Sequence, residues 1–128
     1  TDSRLNWNEA RRPPHDGVLA LYKALLSIRR LEGALGVDSS LDVAVDEGAS
    51  CLSVTRRAAQ EALTLIVHIP ERHRTGSVAT PMPGGSTLVI DTDESRFGGT
   101  ARHARGRLAG ADHCMTFDGP AAVILRHA

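Results

Sequence analysis

The protein is a chain of 128 residues in which 15 basic residues balance 15 acidic residues, so the formal net charge at pH 7 is zero. This length suits one domain, or a small domain with one further element, and the 41% hydrophobic content is ordinary for a globular protein. The lack of a basic excess argues against nucleic acid or a membrane surface as a partner, and no apolar run is long enough to span a bilayer.

The first predicted element is a helix over residues 16–35, which follows an extended lead-in interrupted by two prolines. Apolar residues recur in it at steps of three and four, which is typical of an amphipathic helix. Asp16 is the predicted N-cap, and Gly33 and Gly36 are candidate end points. Three further leucines widen the apolar stripe: Leu19, Leu26 and Leu31. A helix this apolar is expected to contact partners on more than one side.

After residue 40 the apolar pattern changes to the two-residue alternation of β-strands. The segments LDVAVD and SCLSVTR both alternate, and the residues between them favour a hairpin. Residues 61–70, EALTLIVHIP, form a nearly continuous apolar run, which predicts a central strand covered on both faces.

The remainder of the chain predicts two more strands separated by loops. The segments STLVIDT and AAVILRH have strand composition, whereas residues 71–86 and 95–113 are predicted as loops because of their turn-forming and small residues. The predicted fold class is therefore mainly β, with an N-terminal helix packed on a small antiparallel β-sandwich. We divide the chain into the lead-in and helix, residues 1–36, and the sandwich, residues 37–128.

An acidic stretch, LVIDTDESRFGGT, raises the question of a catalytic or metal site. A calcium loop of the EF-hand type needs glycine at its sixth and glutamate at its twelfth position, where this chain has Arg96 and Arg102. Asp91 and Asp93 on an extended strand could lie about 7 Å apart, as in a hydrolytic carboxylate pair. Such a pair needs burial to raise the pKa of one carboxyl group, and a strand end offers little of it.

Two glycines in the same stretch could also approach a phosphate, but the Lys-Ser/Thr of a phosphate-binding loop does not follow Gly98 and Gly99. The favoured interpretation is a strand that ends in a turn, with its acids in solvent and Phe97 packed back on the sheet. No catalytic residue is predicted in this stretch.

Other reactive residue types do not form a recognisable site. His103, His113 and Cys114 could form a metal corner, but the usual ligand spacings are missing, and we predict neither a metal nor a cofactor. The arginine-rich segment 102–107 is predicted to be solvated. Cys51 and Cys114 are expected to be buried reduced thiols, which favours the cytoplasm as the location.

Aromatic side chains, which stack on sugar rings in carbohydrate-binding modules, are scarce in this sequence. Tyr22 on the apolar face of the helix and Phe117 beside a strand are expected in the core. Trp7 in the lead-in therefore remains as the candidate α-glucan contact.

The lead-in and helix together resemble the end of the catalytic barrel in enzymes of the α-amylase superfamily, glycoside hydrolase family 13. The matching residues of the lead-in and helix are Leu5, Trp7, Glu9, Leu21, Tyr22, Leu25, Leu26, Ile28, Arg29 and Arg30. A turn that follows a late strand in the family is matched by Thr92, Asp93, Phe97, Gly98 and Gly99. The ending DGPAAVILRHA is similar to the last strand of the family's β-sandwich domain.

The resemblance implies a non-catalytic C-terminal domain that stabilises an upstream catalytic barrel, its expected partner. The family's catalytic Asp, Glu and Asp lie upstream of the last barrel helix, so none is carried over to a residue of this chain. The implied parent cleaves an α-1,4 linkage beside a terminal trehalose unit. Two alternatives stay open: a stand-alone α-glucan-binding module, and a protein-interaction domain, for instance a homo-oligomer formed through the exposed helix.

Overall fold

The structure, a computed structural model, describes residues 6–70, 78–100 and 114–128. Within these ranges the chain forms one α-helix, three short 3₁₀ turns and seven strands. The helix and strands are α1 (His15–Leu31), β1 (Ser40–Asp46), β2 (Cys51–Arg57), β3 (Ala62–His68), β4 (Val78–Pro81), β5 (Thr87–Asp91), β6 (Cys114–Phe117) and β7 (Ala121–His127). The 3₁₀ turns are Glu9–Arg11, Gly33–Leu35 and Ser95–Phe97.

The strands form two antiparallel sheets. The larger has five strands in the order β1-β2-β3-β7-β5, and the smaller pairs β4 with β6. The sequence predicted β3 as a central, doubly covered strand, and β3 does lie in the middle of the larger sheet. The fold class predicted from the sequence, mainly β with an N-terminal helix, is confirmed.

The hydrophobic core lies between the two sheets. Successive side chains of a strand point to opposite faces, so alternate residues of β2, β3 and β7 share one face with β6 opposite. The buried core residues from the two sheets and from the loop after β1 are Ala49, Cys51, Ile66, Met115, Phe117, Ala121, Val123 and Leu125. Burying the larger of these side chains contributes on the order of 2 kcal/mol each.

The opposite face of the larger sheet carries α1. An apolar groove of about 190 Å³ remains between helix and sheet. Its walls are formed by Ile28, Leu35, Val54, Arg56, Leu63, Leu65 and Ile124. The groove shows that the helix covers only part of this face.

Polar contacts hold the C-terminal end of α1 to the sheet. Glu32, which follows the helix, forms an ion pair with Arg126 of β7. The Arg56 guanidinium donates hydrogen bonds to the Ser39 hydroxyl and to the Gly36 carbonyl. These bonds fix the turn after α1 against β2 and β7.

The predicted ends of the helix need correction. The helix begins at His15, with Pro14 at the N-cap position, so the prediction of Asp16 as the N-cap is wrong. Asp16 instead lies in the first turn, where its negative charge is favourable to the helix dipole, and its carboxylate accepts a hydrogen bond from the N–H of Gly17. The helix ends at Leu31 rather than at residue 35, and a 3₁₀ turn follows.

The smaller sheet was not predicted. Residues 71–86 were expected to be a loop, but β4 lies within them. Its four residues end at Pro81, which an edge strand tolerates because a proline there removes no obligatory hydrogen bond. The four residues of β6 are likewise too few for a reliable alternation. Residues 71–77 and 101–113, which were also expected to be loops, lie outside the described residues.

Candidate functional site

The acidic stretch after β5 forms a closed network of hydrogen bonds to the backbone. Asp91 is fully buried, and its Oδ1 accepts a hydrogen bond from the N–H of Asp93 at 2.9 Å. Glu94 Oε1 accepts a hydrogen bond from the N–H of Asp91 at 3.0 Å. The expectation that these acids lie in solvent is therefore wrong for Asp91, because its carboxylate caps the turn from inside.

Asp93 closes the other end of this turn. Its Oδ1 accepts hydrogen bonds from both the N–H and the hydroxyl of Thr100, each at 3.0 Å. A Cβ at Gly99 would collide with the backbone of Asp93, so only glycine allows the two segments to approach this closely. Both aspartates thus stabilise the turn by accepting hydrogen bonds within it. Nothing in this arrangement supports a hydrolytic pair of carboxylates.

The Ser95–Phe97 turn positions the first turn of α1. Phe97 is buried, and the guanidinium of Arg96 lies 4.5 Å from the centre of its ring. The chain leaves the turn through Gly98, whose φ of 83° lies in the left-handed region. Gly17 of α1 packs directly on the backbone of Phe97 and Gly98. The acidic stretch therefore forms the surface on which the first turn of α1 packs.

Cys51, at the start of β2, has a thiol of low reactivity. Burial and the nearby charge of Asp46 raise the pKa of the Cys51 thiol above its ordinary value. A neutral, buried thiol is a poor nucleophile at pH 7. Cys114 is only half-buried, so the expectation of two buried thiols is correct for Cys51 and wrong for Cys114.

Two of the three described histidines, His68 and His127, have structural contacts, whereas His15 is exposed. His68 is buried, its Nδ1 lies 2.7 Å from the carbonyl oxygen of Gly119, and its ring stacks on Phe117. His127 Nε2 lies 2.9 Å from the hydroxyl of Thr64. Among residues 6–70, 78–100 and 114–128, no three or more His, Cys, Asp and Glu side chains form a group that could hold a metal ion.

The candidate metal corner and the arginine-rich segment cannot be placed in this fold. His103, His113 and the arginines of segment 102–107 lie outside the described residues. Of that corner, only Cys114 has a described position, at the start of β6.

The helix carries an unusual amount of exposed apolar surface. We define the outer stripe as five exposed residues of α1 that do not line the groove between helix and sheet: Val18, Leu19, Tyr22, Leu25 and Leu26. Tyr22 has 64% of its surface exposed, so its predicted place in the core is wrong. In the described part of the chain, no helix is both long and apolar enough to cross a membrane.

Trp7, the candidate α-glucan contact, lies just before the first 3₁₀ turn. Its side chain is 79% exposed, which leaves its ring accessible to a ligand. Its role in binding stays a prediction.

The sequence of this chain is similar to part of a characterised enzyme. Over 125 residues, which are 97% of this chain, the sequence is 32% identical to a malto-oligosyltrehalose trehalohydrolase from Arthrobacter ramosus. The chain is homologous to a segment of that enzyme. It spans only 17% of the relative's length. No model of a protein family matches the chain.

Solved structures share the fold at low sequence identity. A trehalulose synthase from Pseudomonas mesoacidophila matches with a TM-score of 0.61 and 18% identity, over 93% of this chain and 19% of that one. A trehalose-6-phosphate hydrolase from Bacillus licheniformis matches with a TM-score of 0.62 and 14% identity, over 94% of this chain and 20% of that one. The predicted resemblance to the C-terminal region of glycoside hydrolase family 13 enzymes is confirmed.

Proposed function

We propose that this chain is the non-catalytic C-terminal region of an α-glucan-active glycoside hydrolase, where it stabilises an upstream catalytic barrel. The main support for this proposal is the helix α1, which packs on the sandwich through one face and leaves the apolar outer stripe exposed on another. The low coverage of the relatives, 17% and 19–20%, leaves ample chain to cover that stripe. The name of the Arthrobacter ramosus enzyme directs us to malto-oligosyltrehalose as the parent's substrate.

Burial of the outer stripe supplies a reasonable driving force. Each of its five side chains is partly exposed, so covering it would contribute on the order of 1 kcal/mol. The sum, about 5 kcal/mol, is comparable to the whole stability of a small domain. Packing of this helix on a barrel would therefore stabilise both parts.

The test is a chimera in which this chain replaces the aligned segment of the Arthrobacter ramosus enzyme. We expect the chimera to melt at a higher temperature than the same enzyme truncated before that segment. The Leu26→Asp variant should remove this gain, because a charge would be buried at the contact. Ser27→Asp, which puts the same charge on the next, exposed residue, is the matched control.

The isolated chain provides a second check on the proposal. It should show no turnover of malto-oligosyltrehalose or of maltooligosaccharides, because the proposed catalytic acids belong to the barrel. Measurable hydrolysis by the isolated chain would refute a non-catalytic role. A cytoplasmic location also remains a proposal, and the two free cysteines support it.

An α-glucan-binding module is the second candidate, and the exposure of Trp7 favours it. Aromatic faces stack on sugar rings, and Trp7 is the only tryptophan, so its fluorescence reports directly on binding. Titration with a soluble maltooligosaccharide should change the emission if this role is correct, whereas a β-linked glucan oligosaccharide should not. An unchanged signal at millimolar ligand would remove this candidate.

A further inference from the structure

The segment before α1 holds Trp7 in a hydrogen-bonded turn. The side-chain amide of Asn6 donates a hydrogen bond to Oε1 of Glu9 at 3.4 Å, and Oδ1 of Asn6 accepts one from the N–H of Asn8 at 3.2 Å. The N–H of Glu9 also donates to the carbonyl oxygen of Asn6 at 3.0 Å. These bonds join the residues on both sides of Trp7, so the turn presents the 79% exposed indole to solvent in a defined place.

This turn is joined to the start of α1. The 3₁₀ turn Glu9–Arg11 contacts the helix. The carbonyl oxygen of Arg12 accepts hydrogen bonds from the N–H groups of His15 and Asp16, at 2.9 and 3.1 Å. Trp7 therefore lies towards the N-terminal end of α1. A helix of 17 residues is about 25 Å long, so its C-terminal end is far from this turn.

The direction of α1 decides which face of a barrel the turn would occupy. In a barrel of alternating strands and helices, each helix runs antiparallel to the strand before it, so its N-terminal end lies beside the C-terminal ends of the strands. Active sites of such barrels are built at that face, from the loops that join each strand to the next helix. With α1 as the last helix of the parent's barrel, Trp7 lies in the last of these loops.

We propose that Trp7 contacts the substrate of the parent enzyme by stacking its indole ring on a glucose unit of the α-glucan chain. This inference rests on the proposed function, and it places Trp7 among the active-site loops rather than in a separate binding module. The ring orients the glucan chain and contributes to specificity, while bond cleavage belongs to residues of the barrel.

The surroundings of Trp7 suit a sugar better than a packed protein surface. Its neighbours Asn6, Asn8, Glu9 and Arg11 are all exposed. Their amide, carboxylate and guanidinium groups are hydrogen-bonding partners for sugar hydroxyls, whereas charged residues are depleted in the cores of protein interfaces. The outer stripe, which contains only aliphatic and aromatic residues, has the opposite composition.

The experiment measures kcat/KM for malto-oligosyltrehalose in the chimera with the Arthrobacter ramosus enzyme. Trp7→Ala should lower kcat/KM about three- to tenfold, the range expected for the loss of one aromatic contact, and Trp7→Phe should restore most of it. Val37→Ala, at a fully exposed residue beyond the other end of α1, is the matched control and should leave kcat/KM unchanged. The melting temperatures of all three variants should agree with that of the parent chimera to within about 2 °C.

The outcomes separate this inference from the proposed function. An unchanged kcat/KM in Trp7→Ala would overturn the substrate contact, while a chimera that melts above the truncated enzyme would still support the stabilising role. If Trp7→Ala lowered the melting temperature together with kcat/KM, Trp7 would be a packing residue and the inference would fail. Binding of a maltooligosaccharide as tightly by the isolated chain as by the chimera would assign Trp7 to a separate binding module instead.

A binding measurement keeps the test decisive if the chimera folds but turns over too slowly for kinetics. Calorimetry then gives the dissociation constant of the chimera for a maltooligosaccharide. Trp7→Ala should raise this constant about three- to tenfold, and Val37→Ala should not change it. Equal constants for the Trp7→Ala variant and the parent chimera would refute the contact.

Discussion

The contact between α1 and the Ser95–Phe97 turn predicts whether one substitution, Gly17→Ala, raises or lowers the free energy of unfolding. Gly17 lies near the start of the helix, where glycine is a poor helix former, and alanine in a helix is favoured by up to about 1 kcal/mol. Helix propensity alone therefore predicts that Gly17→Ala stabilises the protein. The packing predicts the opposite result.

The magnitude follows from the distances at this contact. A Cβ at Gly17 would lie 2.6 Å from both the carbonyl carbon and the carbonyl oxygen of Phe97, and 3.0 Å from the N of Gly98. These are backbone atoms of a turn that Asp91 and Asp93 hold in place, so they cannot swing aside as a flexible side chain would. Overpacking of this kind costs about 1–3 kcal/mol, which exceeds the gain in helix propensity.

The assay is urea unfolding followed by circular dichroism, with Gly119→Ala as the matched control. No atom lies within 4 Å of a Cβ at Gly119, so that substitution should be neutral or slightly stabilising. We expect Gly17→Ala to lower the free energy of unfolding by about 1–2 kcal/mol. If Gly17→Ala were as stable as the unchanged chain, or more stable, the close packing of α1 on the turn would be refuted.

Three further predictions concern the turn, the core thiol and the helix end. Asp93→Ala should lower the free energy of unfolding by about 1–2 kcal/mol in urea titrations, against a negligible effect of Asp38→Ala at an exposed acid. Because the pKa of Cys51 is raised above 9.0 in the folded state, stability should fall as pH rises above 9.0, and Cys51→Ala should show a shallower fall in pH-dependent melting. Arg126→Gln should cost about 1–2 kcal/mol, a difference that molar salt lowers only in part, since the guanidinium is half exposed but the Glu32 carboxylate is nearly buried.

The local elements of this fold were accessible from the sequence because their signals are local. The helical spacing in residues 16–35 placed α1 to within a few residues of its true ends. The alternation in LDVAVD and SCLSVTR predicted the hairpin of β1 and β2, and the long apolar run predicted β3 as the central strand. The smaller sheet was not predicted because β4 and β6 have four residues each, too few to show a clear alternation of apolar and polar residues.

The role of the acidic stretch could not be predicted in the same way. Its residues suggested a strand and a turn, but burial of Asp91 depends on its hydrogen bond to a neighbouring amide within a folded turn. Likewise, the period of α1 showed that the helix is apolar on two sides, but it could not show which side meets the sheet. Because Tyr22 lies outside the face that meets the sheet, this expected core residue is exposed to solvent.

The sequence by itself determined the fold class, the principal strands and the resemblance to α-amylase-superfamily enzymes, because periodicity and short motifs are properties of neighbouring residues. Only the tertiary structure decided that Gly17 packs on the Ser95–Phe97 turn, and that Val43 of β1 lies on the helix side of the sheet. These facts depend on pairings between residues far apart in the chain, which no local pattern encodes. They show that α1 packs on the Ser95–Phe97 turn and leaves the outer stripe exposed.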